Sequence, residues 1–154
     1  MLLVAAAALA TLPAMDSLRE IQGEWIAQAA NGRAVHADYR PISNDSALVE
    51  TWRSASGRET MTVYFVDGGT LQATHYCAQG NQPTLSLAGA GFNRWEFRFV
   101  RATGVDPGEA VLTRLILERT NQGLRRTETY SLDGKDEVTV FEFVRPVAAK
   151  LPKG

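Results

Sequence analysis

The sequence contains a single cysteine, Cys77, among 154 residues, so no disulfide can form within one chain. Small exported domains commonly depend on disulfides, whereas this chain must depend on its core and its sheet for stability. An excess of charge of one sign is also missing, because 16 basic and 17 acidic residues are interleaved along the chain. This balance provides no electrostatic footprint for nucleic acid or for an anionic membrane, and neither is expected as a partner.

The common signature motifs of enzymes are missing as well. The chain has no Gly-rich phosphate loop, no Gly-x-Ser-x-Gly turn and no His-Glu-x-x-His metal motif. The strong nitrogen and sulfur ligands are His36, His75 and Cys77, and several predicted strands separate His36 from the other two. We therefore expect no metal and no cofactor, with a haem held by His75 as axial ligand as the one alternative.

A long hydrophobic run occurs only at the N-terminus. Residues 1–15 carry no charged side chain and include a run of Leu, Val and Ala at 2–10, which is typical of the apolar region of a signal peptide. The run is too short to cross a bilayer, so no integral membrane span is expected. We interpret residues 1–15 as a signal peptide or a disordered apolar leader. The first interpretation predicts a periplasmic or secreted protein, and the second a cytoplasmic one.

Short segments rich in Val, Thr, Phe, Tyr and Trp make up the rest of the chain, with Gly, Asn, Asp and Pro between them. This pattern predicts about ten β-strands, at 24–28, 35–40, 47–53, 59–66, 70–77, 84–88, 94–101, 110–119, 124–132 and 135–144. Asn31-Gly32 and Asp133-Gly134 favour tight hairpins, so strands adjacent in sequence are expected to pair. Closing the sheet would remove its exposed edges. We predict an all-β fold, an antiparallel up-and-down barrel of about 8–10 strands.

The length fits one domain. Leu18 and Ile21 are spaced as on a helix, with Asp16 or Ser17 available as N-cap, which predicts a short helix at 16–22 that ends before Gly23. The barrel domain is expected to span 16–147, and residues 148–154 to form a flexible tail.

Gly23-Glu24-Trp25, at the entry to the first predicted strand, resembles the Gly-x-Trp opening motif of the lipocalins, which belong to the calycin superfamily. The resemblance implies that Trp25 closes the floor of a barrel. It also implies that an arginine late in the last strand, here Arg145, packs across the tryptophan.

A second stretch resembles a group of uncharacterised bacterial lipocalin-like proteins. It comprises segments 47–52 and 61–64, then His75-Tyr76-Cys77 and Gly80-Asn81-Gln82-Pro83. The resemblance implies a barrel and no established reaction. Classical lipocalins have a disulfide pair that this chain lacks, so their function as plasma carriers is not transferred.

Alternation in segment 70–77 places Leu71, Ala73, His75 and Cys77 on one face, and the apolar pair indicates that this face points inward. Interior side chains of a small barrel can line a ligand pocket. The predicted ligand-binding residues are Glu50, Trp52, Met61, Val63, His75, Cys77, Asn81, Gln82, Phe97 and Phe99.

Arg126, Glu128 and Tyr130 share one face of a late strand. They either add polar groups to the interior or form a solvated outer face with cross-strand ion pairs, and the sequence leaves both interpretations open.

The leading functional hypothesis is a carrier or sensor that binds a small hydrophobic or amphipathic molecule inside the barrel, as a monomer or homodimer. A second hypothesis is a cofactor-free isomerase or hydrolase with His75 as general base, Cys77 as nucleophile and Glu50 as the partner of the histidine. A third is a structural or interaction barrel without a ligand. In that case His75 is a hydrogen-bonded core residue and Cys77 a small hydrophobic one.

Overall fold

The computed structural model describes residues 14–147 and shows one antiparallel sheet of ten strands. Each strand pairs with its neighbours in sequence, in the order β1 to β10. The strands are β1 (Gly23–Gln28), β2 (Ala34–Ile42), β3 (Ala47–Arg53), β4 (Glu59–Asp67), β5 (Thr70–Tyr76), β6 (Gln82–Ala90), β7 (Arg94–Thr103), β8 (Val111–Arg119), β9 (Leu124–Leu132) and β10 (Lys135–Phe143). All ten predicted strands are confirmed, as is the all-β, up-and-down fold.

A single bridge between the first and last strands nearly closes the sheet into a barrel. The backbone nitrogens of Ile26 and Val144 each donate a hydrogen bond to the carbonyl oxygen of the other, at 2.9 Å. This contact leaves most of the outer edge of β10 without a strand beside it among residues 14–147.

A short helix closes one end of the barrel. It comprises an α-helical turn that includes residues 14–18, followed by a 3-10 turn, Arg19–Ile21. Met15, Leu18 and Ile21 are buried, and the Trp95 indole nitrogen donates to the Ala14 carbonyl at 3.2 Å. The predicted helix is confirmed, but it begins at or before residue 14, so Asp16 lies within it and not at its N-cap.

The N-terminal leader was predicted for residues 1–15. Of these, residues 1–13 lie outside the described part of the chain, as does the predicted tail, 148–154. Ala14 and Met15 belong to the helix that packs under the barrel. Within residues 14–147, no helix has the length and apolar character needed to cross a membrane.

Trp25 and Arg145 form the floor of the barrel, as the lipocalin resemblance implies. The guanidinium of Arg145 lies 3.7 Å from the centre of the Trp25 ring and donates to the Glu24 carbonyl at 3.2 Å. The indole nitrogen of Trp25 donates to the Ile21 carbonyl at 2.7 Å, which connects the helix to the floor. The expected packing of Arg145 across Trp25 is therefore confirmed.

The prediction for the inner face of β4 was wrong. Thr62 and Tyr64 are buried at 1% and 0% exposure, so Met61 and Val63, on the alternate positions, face outward. Met61 is 39% exposed. Alternation alone favours the face with the larger apolar side chains as the inner one, whereas the barrel encloses polar groups at this level and Thr62 faces them.

Phe99 does not line the interior as predicted, because the sheet opens beside it. Trp95 and Phe97 on the same strand are fully buried, but Phe99 is 44% exposed. β7 pairs with β8 only as far as Arg98, and a register shift in the β6 pairing follows Phe99 directly. A bulge of this kind is not encoded in a simple alternation pattern.

Candidate functional site

The end of the barrel opposite the helix contains a cavity of about 290 Å³, which we call the mouth. Trp95, which contacts the helix, lies at the start of β7. In an antiparallel barrel, the opposite end is formed by the starts of even strands and the ends of odd ones. The mouth is lined there by Arg58, Thr60, Cys77, Ala78, Gln79, Ala110, Glu128, Tyr130, Glu137 and Thr139. Most of these side chains are polar.

Tyr130 lies between the mouth and a buried hydrogen-bonded chain. Its hydroxyl is 3.2 Å from Nε2 of His75, and the Cys77 thiol lies beside it. Nδ1 of His75 is 3.0 Å from the Thr62 hydroxyl, so both imidazole nitrogens have partners. His75 is only 2% exposed and does not line the mouth. Tyr130 therefore connects His75 to the mouth.

Burial determines the protonation states of His75 and Tyr130. It lowers the pKa of His75 below its usual value, against the opposing effect of the Glu128 charge, and so favours the neutral imidazole. Burial also raises the pKa of Tyr130, and the negative charge of Glu128 raises it further. The Tyr130 phenol therefore keeps its proton at neutral pH and can donate a hydrogen bond.

Three charged residues form a buried network below the mouth. Arg126 forms ion pairs with Glu50 and Glu128, and its Nη2 lies 2.8 Å from Oε1 of Glu128. The Tyr64 hydroxyl donates to Oε2 of Glu50 at 2.6 Å. The side chains of Arg126 and Glu50 are each 1% exposed, and that of Glu128 is 13% exposed. Pairing on this scale is what allows charges to be retained inside a protein.

Aromatic rings surround the network. The guanidinium of Arg126 lies 5.0 Å from the centre of the Trp52 ring, which meets Phe141 edge to face at 4.7 Å. Burial raises the pKa of Tyr39 to about 12, although the nearby Arg126 charge lowers it. Burial likewise raises the pKa of Tyr64. These phenols remain protonated and complete a buried polar core.

The structure brings together only part of the predicted ligand-binding set. Cys77 alone lines the mouth. Glu50, Trp52 and His75 point into the barrel below it, and Phe97 packs against Tyr64 with a centroid distance of 5.6 Å. The inward face predicted for β5 is confirmed, since Leu71, Ala73 and His75 are buried. The predicted pairing of Glu50 with His75 is wrong, because the His75 nitrogens contact Thr62 and Tyr130 while Glu50 pairs with Arg126. The ligand-binding and catalytic roles of these residues remain predictions.

Asn81 and Gln82 lie at the rim of the barrel and not in the lining of the mouth. The Asn81 amide donates to the Glu109 carboxylate at 3.1 Å and to the Ala110 carbonyl at 3.3 Å. Thr103 donates to the Gln82 side chain at 3.0 Å. These contacts connect the β5–β6 loop to the β7–β8 connection and to the end of β7, and the predicted ligand-binding role of Asn81 and Gln82 stays a prediction.

The sequence allows either face for Arg126, Glu128 and Tyr130, and in the structure all three point inward. The sequence feature that indicates the inward face is Leu124, which shares the face with these three residues and is 1% exposed. Tyr39 and Thr62 were not predicted as site residues. Their signal was strand alternation, with Val35 and Ala37 preceding Tyr39 on the inner face of β2.

A larger groove of about 460 Å³ lies outside the barrel, across β1, β2 and β3, beside Glu24, His36 and Arg40. These three side chains are exposed. Unlike the mouth, the groove is not backed by a buried polar network. Within residues 14–147, no three His, Cys, Asp or Glu side chains lie close enough together to hold a metal ion.

The fold and the floor together define a nearly closed antiparallel ten-strand barrel, consistent with a lipocalin-like fold. No model of a known protein family matches the chain, and neither does any curated protein.

Proposed function

We propose that the protein is a carrier or sensor that binds a small polar molecule in the mouth of the barrel. The observation that carries this proposal is the convergence of the Cys77 thiol, the Glu128 carboxylate and the Tyr130 hydroxyl on one cavity. Beneath it, hydrogen bonds and ion pairs hold these groups in place. Convergent polar groups of fixed orientation are typical of small-molecule sites.

The rest of the interior supports a polar ligand over the apolar one expected from the sequence. Tyr64, Leu85, Trp95 and Phe97 have no accessible surface, so no void large enough for water adjoins them. A cavity of about 290 Å³ is also at the lower limit of the ~300–1,000 Å³ typical for drug-sized ligands. A small molecule at the mouth fits this packing better than a lipid chain in the core.

A binding role is favoured over catalysis by the position of His75. Both of its nitrogens are engaged, and Tyr130 separates it from the mouth. We also infer kinship with lipocalin-like proteins from the Gly-x-Trp entry and from the packing of Arg145 on Trp25.

Binding can be tested by NMR titration of the full chain with small amines, alcohols, carboxylates and amides. We expect a subset of these probes to shift the backbone amides of Thr60, Cys77 and Glu128. Ala78→Trp should fill the mouth and abolish the shifts, whereas Ala88→Trp, at an exposed position of β6, should leave them unchanged. If no probe shifts the mouth amides, or if both variants behave alike, the proposal is wrong.

A further inference from the structure

We infer that the ligand of the mouth is a small organic cation, such as a primary ammonium. This inference rests on the function proposed above and adds the chemical class of the ligand.

The first argument is the charge of the buried network. Arg126 is paired with Glu50 and with Glu128, so one guanidinium faces two carboxylates. The three groups together carry one excess negative charge. Burial lowers the pKa of His75 and favours the neutral imidazole, which does not balance this charge. An excess charge in a low-dielectric interior is stabilised by a counter-ion.

The second argument is where this excess charge is accessible. Arg126 and Glu50 are sealed inside the barrel, whereas Glu128 lines the mouth. Oε1 of Glu128 is occupied by the ion pair with Arg126. Within residues 14–147, no hydrogen bond engages Oε2. The negative charge therefore reaches a ligand through Glu128.

The third argument is the wall next to Glu128. Glu137 on β10 pairs across the sheet with Tyr130, and Thr139 pairs with Glu128. All four residues line the mouth. Among the lining residues, two carboxylates, Glu128 and Glu137, face one cation, Arg58. An ammonium has three donors and no acceptor, which matches a wall of carboxylate and hydroxyl oxygens. A ligand carboxylate would instead be repelled by both glutamates.

The experiment uses three probes of nearly the same shape and of different charge: n-butylammonium, n-butanol and n-butyrate. Dissociation constants are measured by NMR titration of the full chain at pH 7.5. We expect n-butylammonium to bind about tenfold more tightly than n-butanol, the increment of a charge-assisted hydrogen bond, and n-butyrate to bind most weakly.

Two variants and one control locate the effect. Glu137→Gln should reduce n-butylammonium affinity about threefold and leave n-butanol affinity unchanged, since Glu137 is exposed and forms no ion pair within residues 14–147. Glu128→Gln should remove the preference for the cation. Glu142→Gln, on the outer face of β10, is the matched control and should change nothing.

Equal affinities for n-butylammonium and n-butanol would overturn the inference and leave binding at the mouth intact. The same holds if the preference for the cation survives both Glu137→Gln and Glu128→Gln. If none of the three probes shifts the mouth amides, and none of the wider set does, the proposed function fails as well. Because Glu128→Gln removes a partner of Arg126 and could prevent folding, Glu137→Gln decides the outcome in that case.

Discussion

Gly23 is the residue at which an added side chain would meet the arginine in the floor of the barrel. Its φ is +100°, and an added Cβ would lie 2.8 Å from Nη1 of Arg145. That guanidinium packs on Trp25 and donates to the backbone of Glu24. The glycine of the Gly-x-Trp motif therefore allows the arginine to lie across the tryptophan.

Gly23→Ala should consequently displace Arg145 and cost more stability than Gly32→Ala. Gly32 has a φ of +77° and nothing within 4 Å of its added Cβ, so it shares the backbone strain without the clash. We expect an additional loss of about 1 kcal/mol at Gly23, the value of a stacked cation and a hydrogen bond. Urea unfolding measures the difference.

In the Arg145→Ala background, the two glycine variants should cost nearly the same. A difference that persists without the arginine would show that Gly23 serves some purpose other than its accommodation.

His75 makes stability depend on pH in a defined direction. Burial places its pKa in the folded protein below the unfolded value of about 6.5. The contribution to stability is therefore complete above pH 6.5. It declines as the pH falls below 6.5, because the unfolded chain then binds a proton that the folded chain does not. One such group changes the free energy of unfolding by at most about 1.4 kcal/mol per pH unit.

His75→Gln should flatten this decline between pH 6.5 and 5.5, as followed by urea unfolding at a series of pH values. His36→Gln, at an exposed position on β2, should leave the slope as it is in the parent chain. Identical slopes in all three proteins would contradict the assignment of the proton uptake to His75.

Among the elements, β9 contributes most to the candidate site, because it carries Arg126, Glu128 and Tyr130 on its inner face. Arg126→Met should destabilise the fold by about 3–5 kcal/mol, since two carboxylates would remain in the interior without their cation. Arg125→Met is the control on the same strand. Its side chain is 45% exposed and pairs with Glu142, so its loss should leave the stability nearly unchanged.

Thermal or urea unfolding compares the two variants. Adding Glu50→Gln to Arg126→Met should recover part of the stability, because it removes one of the two unpaired charges. A purely additive loss in the double variant would show that Glu50 and Arg126 are not energetically coupled.

The strands themselves could be predicted because their signals are local. Hairpins such as the one at Asp133-Gly134 fix which strands pair, and turn residues mark where each strand ends. The choice of face was less accessible. On β5, the apolar side chains of Leu71 and Ala73 identify the inner side correctly. On β4, both faces carry apolar groups, and Thr62 lies inside, where its hydroxyl contacts Nδ1 of His75.

The candidate site was partly predictable for the same reason. His75 and Cys77 follow from alternation along one strand, whereas the ion pair of Arg126 with Glu50 joins two strands that are far apart in sequence. No pattern within β9 shows that Arg126 will form an ion pair with Glu50 on β3. Local sequence patterns place charged residues on the outer face of a strand. A charged residue is stable on the inner face only when another strand of the barrel supplies its partner.

At the scale of the whole molecule, the barrel has one weak line. Nine strand interfaces join neighbours in sequence, and the tenth is the single bridge between Ile26 and Val144. The helix and the Trp25–Arg145 floor reinforce this line at one end only. At the other end, β10 supplies Glu137 and Thr139 to the mouth without a partner strand along its outer edge among residues 14–147.

This arrangement has a kinetic consequence. The nine neighbour interfaces require only short loops to close, while the bridge requires the two ends of the domain to meet, so the bridge should form after the rate-limiting step of folding. Val144→Pro, which removes the amide that donates to Ile26, should accelerate unfolding and barely alter refolding. Val147→Pro, at a 95% exposed position, is the control, and stopped-flow measurements in urea separate the two rates. Slower refolding of Val144→Pro would mean that the ends meet early; otherwise the chain folds as a growing sheet that becomes a barrel only in its last step.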